Sequence, residues 1–274
     1  MDWLQALLLG LVQGLTEFLP VSSSGHLMLV KELLGVDGEG FLDFTVAVHF
    51  ATVLSTVVVF WKVIVDLFKG LFKFTYNDET DYICKIIVSM IPVAVVGLFF
   101  KDKVEALFGT GVGVVGVCLL ITAFLLLLSD FLTARVNFNN TSRNGITYWQ
   151  AFVVGIAQAL AVAPGLSRSG TTISTGLICG VKRDRMAQFS FLMVLVPIIG
   201  EQLLSFLDMI LAPMDGTPLP PSVGTVPLLV GAVAAFLSGL FACKVMVALV
   251  RKSKMKWFAL YCAVVGILVL VLGA

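Results

Sequence analysis

Charge is what this 274-residue sequence has least of: Asp, Glu, Lys and Arg together make up 13% of it and sum to a net +1. So slight a balance excludes the strongly basic face on which nucleic-acid binding depends. Cysteine occurs five times (Cys84, Cys118, Cys179, Cys243 and Cys262) and never in CxxC spacing. That argues against a disulfide framework or a cysteine-held metal cluster and leaves these residues as small buried apolar groups. Met1-Asp2 is followed by an apolar run with neither a basic n-region nor a small-residue cleavage site, so no removable signal peptide is expected. What remains is apolar: 59% of the residues are hydrophobic and the mean hydropathy is +1.04. No soluble globular domain is built this way, and the composition predicts an all-α polytopic membrane protein.

Crossing a bilayer takes about 20 apolar residues. Runs of that kind fall near 44–61, 83–100, 112–128, 188–207, 226–249 and 257–272, which predicts six transmembrane helices. Two further apolar stretches are each halted by a proline, Pro20 and Pro164, and by a Ser/Gly turn before a second short apolar piece. They are read as re-entrant helical hairpins over 3–35 and 149–181, because irregular backbone at membrane depth survives only when buried in protein or lining a cavity.

The two hairpins are related. From Gln5 to Val36, ten of 32 positions are identical to those 145 residues later, among them Gln13/Gln158, Ser22/Ser167, Ser24/Ser169 and Gly25/Gly170. The chain therefore reads as a single membrane domain, 1–274, of two repeats, 1–132 and 147–274, joined by a linker at 133–146. Three crossings per repeat place the second copy upside down relative to the first. Loop charges fit such an arrangement, with thirteen Lys and Arg on one side against three (Lys31, Lys101 and Lys103) on the other. The basic side is cytoplasmic by the positive-inside rule, which puts both termini and the mouth of the first hairpin outside.

Ionisable groups within membrane segments are costly and mark function. Gln13 and Glu17 lie four apart, on one helix face. After Pro20, Ser22, Ser23, Ser24 and Gly25 form a turn, and a helix opens near His26 with its free amides directed at that turn. The second repeat sets Ser167, Arg168, Ser169, Gly170, Thr171 and Thr172 at the equivalent place. Two opposed helix N-termini, a guanidinium and several hydroxyls make a phosphate cradle. A purely structural Glu17–Arg168 ion pair between the repeats is the competing reading. His49, Glu201 and Lys244 are left outside the site, His49 as an interfacial or core histidine.

At these residues the chain resembles the undecaprenyl-diphosphatase (bacitracin-resistance) family of bacterial membrane phosphatases. One family motif, a Glu or Gln ahead of a second Glu and then PxSSxGH, matches Gln13, Glu17, Pro20, Ser22, Ser23, Gly25 and His26. A second, PGxSRSxxT, matches Pro164, Gly165, Ser167, Arg168, Ser169 and Thr172. Many members have Glu where this chain has Gln13. The resemblance implies hydrolysis of a C55 polyprenyl diphosphate to the monophosphate and phosphate, recycling the carrier lipid for cell-wall glycans. It also implies a divalent cation, Mg²⁺ or Ca²⁺, held by Glu17 and Gln13, competition by bacitracin for the substrate, an inner-membrane location, and allows a homodimer. Catalytic roles would fall to Glu17, Ser23, His26 and Arg168, and diphosphate binding to Ser22, Ser24, Gly25, Ser167, Ser169 and Thr172. Whether His26, Ser23 with His26 as its base, or water attacks is open at this stage. A polyprenyl-phosphate transporter using the same midplane site is the alternative function.

Overall fold

The computed structural model describes residues 1–36, 40–100, 111–133, 142–211, 223–252 and 255–273. Among them every regular element is helical. In order they are α1 (Trp3–Phe18), α2 (Ser23–Leu33), α3 (Phe41–Val59), α4 (Trp61–Leu71), α5 (Asp78–Phe99), α6 (Val112–Thr133), a 3₁₀ turn (Arg143–Gly145), α7 (Tyr148–Leu160), α8 (Arg168–Ile178), α9 (Arg183–Leu211), α10 (Thr225–Lys252) and α11 (Lys256–Leu272). Four described helices are long and apolar enough to cross a membrane: α3, α5, α6 and the Thr225–Val250 stretch of α10. The chain is an integral membrane protein. Of the charges counted in the loops, Lys101, Lys103, Arg135 and Lys254 lie outside the described residues, as do the Glu201 side chain and most of the linker.

The start of each hairpin is dictated by a capping box. Asp2 accepts from Gln5 N at 2.7 Å while Gln5 Oε1 accepts from Asp2 N at 2.9 Å; Thr147 and Gln150 do the same at 3.1 and 2.8 Å. Both glutamines then reach across their hairpins, Gln5 Nε2 donating to Leu34 O and Gln150 Nε2 to Cys179 O. Ser22 and Ser167 cap α2 and α8, their hydroxyls accepting from Gly25 N and Gly170 N. Every one of these bonds has its partner 145 residues along the chain.

Glycines let the hairpins sink into the bundle. A methyl group at Gly10 would strike the backbone of Gly231, and one at Gly14 the backbone and side chains of α10; at Gly155 it would strike the backbone of Ser89 on α5. Backbone-to-backbone approach of this kind is how membrane helices gain dispersion energy where lipid competes for every apolar contact. The packing is crossed: α1 lies against α10, and α7 against α5.

The polypeptide between α3 and α5 departs from the sequence reading. The run near 44–61 ends at Phe60, where the chain turns into the separate helix α4. The five cysteines are free, and three of them, Cys118, Cys243 and Cys262, are buried.

Candidate active site

Glu17 sits in the last turn of α1, one turn beyond Gln13, with its side chain only 9% exposed. Both of its oxygens are engaged. Arg168, the first residue of α8, donates from Nη2 to Oε1 at 3.0 Å. Oε2 accepts from Gln13 Nε2 at 2.9 Å and from Ser23 Oγ at 2.5 Å, the length of a hydroxyl bonded to an ionised carboxylate. The first turn of α2 thus delivers Ser23 to Glu17, and the first turn of α8 delivers Arg168 to the same carboxylate from the other hairpin. The turn ahead of α2 is strained to do so: Ser22 has φ 70° and ψ 95°, a conformation non-glycine residues adopt at a cost of roughly 1–3 kcal/mol.

Gly25 and Gly165 bring the two turns together. A methyl at Gly25 would lie 2.9 Å from Val115, closer than real carbon atoms approach, and 3.2 Å from Gly165 Cα, a tight contact. Ser169 Oγ donates to Leu19 O at 3.1 Å, fastening one turn to the other. Thr172 Oγ1 donates to Arg168 O at 2.8 Å and lies 2.6 Å from Ser190 Oγ on α9.

A cleft opens beside this cluster. Its polar floor is made by Glu17, Arg168, Ser169, Thr172, Gln158 and Ser190, with Thr52 and Thr56 from α3, and its walls by Phe18, Val53, Phe191, Val194, Leu195 and Ile198. Of the residues expected to bind diphosphate, Ser169 and Thr172 line the cleft. Ser22, Ser24, Gly25 and Ser167 do not line it, and the hydroxyls of Ser22 and Ser167 are occupied as helix caps. Ser24 Oγ is 3.5 Å from Ser22 Oγ.

His26 is placed otherwise than as a base for Ser23. Its Nδ1 lies 2.8 Å from Ser22 O; a carbonyl only accepts, so Nδ1 carries the proton and donates. Nε2 then accepts from Tyr261 Oη on α11 at 2.8 Å. The two rings stack with centroids 5.6 Å apart. Ser23 has Glu17, not His26, as its proton acceptor in this structure.

Besides the cleft-lining Thr52, Thr56 and Ser190, sequence reasoning left out three residues that the fold brings to the site. His49, on α3, has Nε2 3.8 Å from Glu17 Oε2 and is oriented by Nδ1 against Thr45 O at 2.8 Å. Tyr261 holds His26. Gln158 is 2% exposed and lines the cleft. Two of the three had a signal in the sequence, Gln158 as the repeat-mate of Gln13 and His49 as an ionisable group inside an apolar run; Tyr261 had none, since its partner comes from a distant helix.

A cation has oxygen donors here. Gln13 Oε1 and Gln158 Oε1 are buried without any hydrogen-bond partner, an arrangement that costs a few kcal/mol unless something is bound. The Glu17 carboxylate and the Gln13 carbonyl oxygen are the hard donors that Mg²⁺ and Ca²⁺ prefer. Among the described residues no group of three or more His, Cys, Asp or Glu could hold a metal alone. Remaining ligands would be water and substrate phosphate, as is usual for Mg²⁺.

Comparison with known proteins identifies the family. The family model for the bacitracin resistance protein BacA matches residues 6–268. An undecaprenyl-diphosphatase of Bacteroides fragilis is 51% identical over 273 residues, covering 100% of this chain and 99% of the relative. One from Christiangramia forsetii is 49% identical over 269 residues, with 97% of each chain covered. A relative of the same name from Methanosphaera stadtmanae is 36% identical over 288 residues, covering 100% of this chain and 99% of its own. The chain belongs to the bacitracin resistance protein BacA family.

Proposed function

We propose that this protein hydrolyses undecaprenyl diphosphate to undecaprenyl phosphate and inorganic phosphate at the Glu17–Arg168 cleft, as the names of its relatives state for them. It is a membrane phosphatase, and the product returns to the carrier-lipid pool for cell-wall glycan synthesis. The observation that carries the mechanism is the chain Ser23–Glu17–Arg168, in which a hydroxyl, its acceptor and a fixed positive charge meet within 3.0 Å contacts.

The terminal phosphoryl group enters over Arg168, whose remaining guanidinium N–H groups neutralise the charge that builds on the phosphate oxygens. Ser23 Oγ gives its proton to Glu17 Oε2 and attacks the terminal phosphorus. The bond from that phosphorus to the bridging oxygen breaks, and undecaprenyl phosphate leaves. Water then attacks the phosphoserine; protonated Glu17 returns its proton to Ser23 Oγ as the Oγ–P bond breaks, and the carboxylate so freed accepts the proton of the attacking water and releases it to solvent as phosphate departs. Ser169 and Thr172 on the cleft floor orient phosphate oxygens. A divalent cation held by Glu17 and Gln13 supplies further charge neutralisation when bound. The apolar wall of Phe18, Phe191, Leu195 and Ile198 receives the first prenyl units.

The two 145-residue-offset hairpins and their crossed packing on α10 and α5 support inverted-topology repeats with six crossings and two re-entrant hairpins. With the basic loops cytoplasmic, both termini and the cleft face outward at the plasma membrane, on the side where a glycan-transfer reaction releases the diphosphate carrier. Bacitracin then competes by capturing the substrate, and a homodimer is compatible with this orientation.

The test is phosphate release from purified protein with C55 diphosphate, followed by acid quenching and mass spectrometry of the Ser23 peptide. A transient phosphopeptide, absent in Ser23→Ala together with turnover, is expected, and chelator is expected to suppress release. Undiminished turnover in Ser23→Ala would establish direct attack by water.

A further inference from the structure

The helix α4 has no part in the reaction, yet its four sides are sharply different. It continues from α3 through Phe60 and ends in a turn where Phe72 N and Lys73 N bond back to Phe68 O and Gly70 O. At 100° per residue, with Trp61 as zero, Gly70, Val63 and Leu67 fall at about 180–240°. That side meets the protein: Gly70 lies against Glu79, and Val63 and Leu67 pack on the core. Trp61, Phe68 and Phe72, within about 20° of zero, point the opposite way and are 59, 57 and 69% exposed. Lys69, Lys62 and Lys73 form a stripe at about 80–120°, and all three are exposed. Across from that stripe, at about 280–300°, lie Ile64, which also packs on the core, and Leu71, which is exposed.

Protein on one side, aromatics opposite, lysines along one edge and aliphatics along the other define a helix lying in the plane of a membrane interface. The aromatic face meets lipid, Leu71 dips toward the acyl chains, and the lysines extend toward the headgroups with their stems along apolar surface. Asp66, at about 140°, is the single acid on the helix, so the stripe keeps a positive charge.

We propose that α4 is an in-plane interfacial helix whose Lys62–Lys69–Lys73 stripe binds anionic phospholipid headgroups. This surface depends on the protein being membrane-embedded and is independent of the catalytic assignment. The contact has a route to the cleft. Phe60, at the α3–α4 corner, packs against Phe191 at 6.1 Å between ring centroids, and Phe191 against Phe18 at 5.9 Å, next to Glu17. Headgroups that hold α4 therefore hold the corner from which α3 presents His49 and the cleft wall.

The experiment uses the full chain in nanodiscs of phosphatidylcholine alone or mixed with phosphatidylglycerol, read by thermal midpoint and by native mass spectrometry of retained lipid. Phosphatidylglycerol is expected to raise the midpoint of the wild type. At about a factor of five per lysine, the triple variant Lys62→Gln/Lys69→Gln/Lys73→Gln is expected to retain anionic lipid roughly a hundredfold more weakly and to lose the shift. The triple Lys→Arg variant keeps both, and about 0.5 M salt diminishes both. In phosphatidylcholine alone, wild type and the Gln triple are expected to melt together; a lower midpoint for the variant there would overturn the proposal by making the lysines structural. An unchanged phosphatidylglycerol preference in the Gln triple, or its loss in the control Lys182→Gln/Lys256→Gln, would overturn it equally.

Discussion

Arg168 carries two duties at once, since the guanidinium that is free to meet phosphate also neutralises a buried carboxylate through its contact with Glu17. Its side chain is 27% exposed while that of Glu17 is 9%, so the arginine reaches the cleft and the glutamate lies beneath it. Removing one donor that stabilises charge in a transition state costs about 10²–10³ in rate, and Arg168→Ala is expected to lose at least that much. Arg168→Lys keeps the charge but loses the planar fork that spans carboxylate and phosphate together; its turnover is expected between those of alanine and wild type, with the thermal midpoint closer to wild type than that of the alanine variant. Phosphate release and melting measured on the same preparations check this. Near-normal turnover in the lysine variant would make the pair structural. The sequence made Glu17, Arg168, Gln13 and Ser23 legible because a charge in a membrane span must have a reason and the turn residues beside it supply one. It could not reveal that Ser23 answers to Glu17 while His26 answers to Tyr261. Both serine and histidine sit in one turn of α2, and which way each points is decided by α1 and α11, not by their spacing.

Helices in this chain are fixed to one another through a few polar knots, of which Asp81 on α5 is the most connected among the described residues. It accepts from Tyr76 Oη at 2.7 Å, Tyr148 Oη at 3.1 Å, Asn144 Nδ2 at 3.1 Å and Lys85 Nζ, while Lys85 also donates to Arg143 O at 2.8 Å. Both members are almost fully buried. The knot ties α5 to the 3₁₀ turn and to the first residue of α7, and so sets the depth at which the second hairpin enters. Truncating one partner of a buried pair costs about 3–5 kcal/mol because the other charge is stranded. Asp81→Ala is expected to lower the thermal midpoint accordingly, and Asp81→Asn/Lys85→Met to recover much of the loss; a midpoint unmoved by Asp81→Ala would show that the pair contributes nothing net. Hydropathy placed every long helix within a few residues but gave no sign of this knot. It also merged α4 into a basic loop, because an eleven-residue interfacial helix is too short to register as a span and shows its character only on a helical wheel.

At the scale of the whole molecule, the 145-residue offset links sequence to architecture: capping boxes, cross-hairpin glutamine bonds and helix caps all recur at that interval. A duplicated hairpin that packed against its own repeat would need no partner copy. Here α1 packs on α10 and α7 on α5, so each hairpin rests on a helix from the other half of the chain, the packing expected of the proposed entry from opposite faces. The loop charges set which face is which. Each Lys or Arg close to a membrane segment opposes its own translocation, and the thirteen-to-three asymmetry predicts that the basic side is cytoplasmic. Reporter fusions after Lys73 and after Lys254 are expected to read cytoplasmic, and a fusion after Ala274 external. A cytoplasmic C-terminus would break the parity of three crossings per repeat, and with it the placement of Glu17 and Arg168 on hairpin tips that approach one another from the two sides of the bilayer.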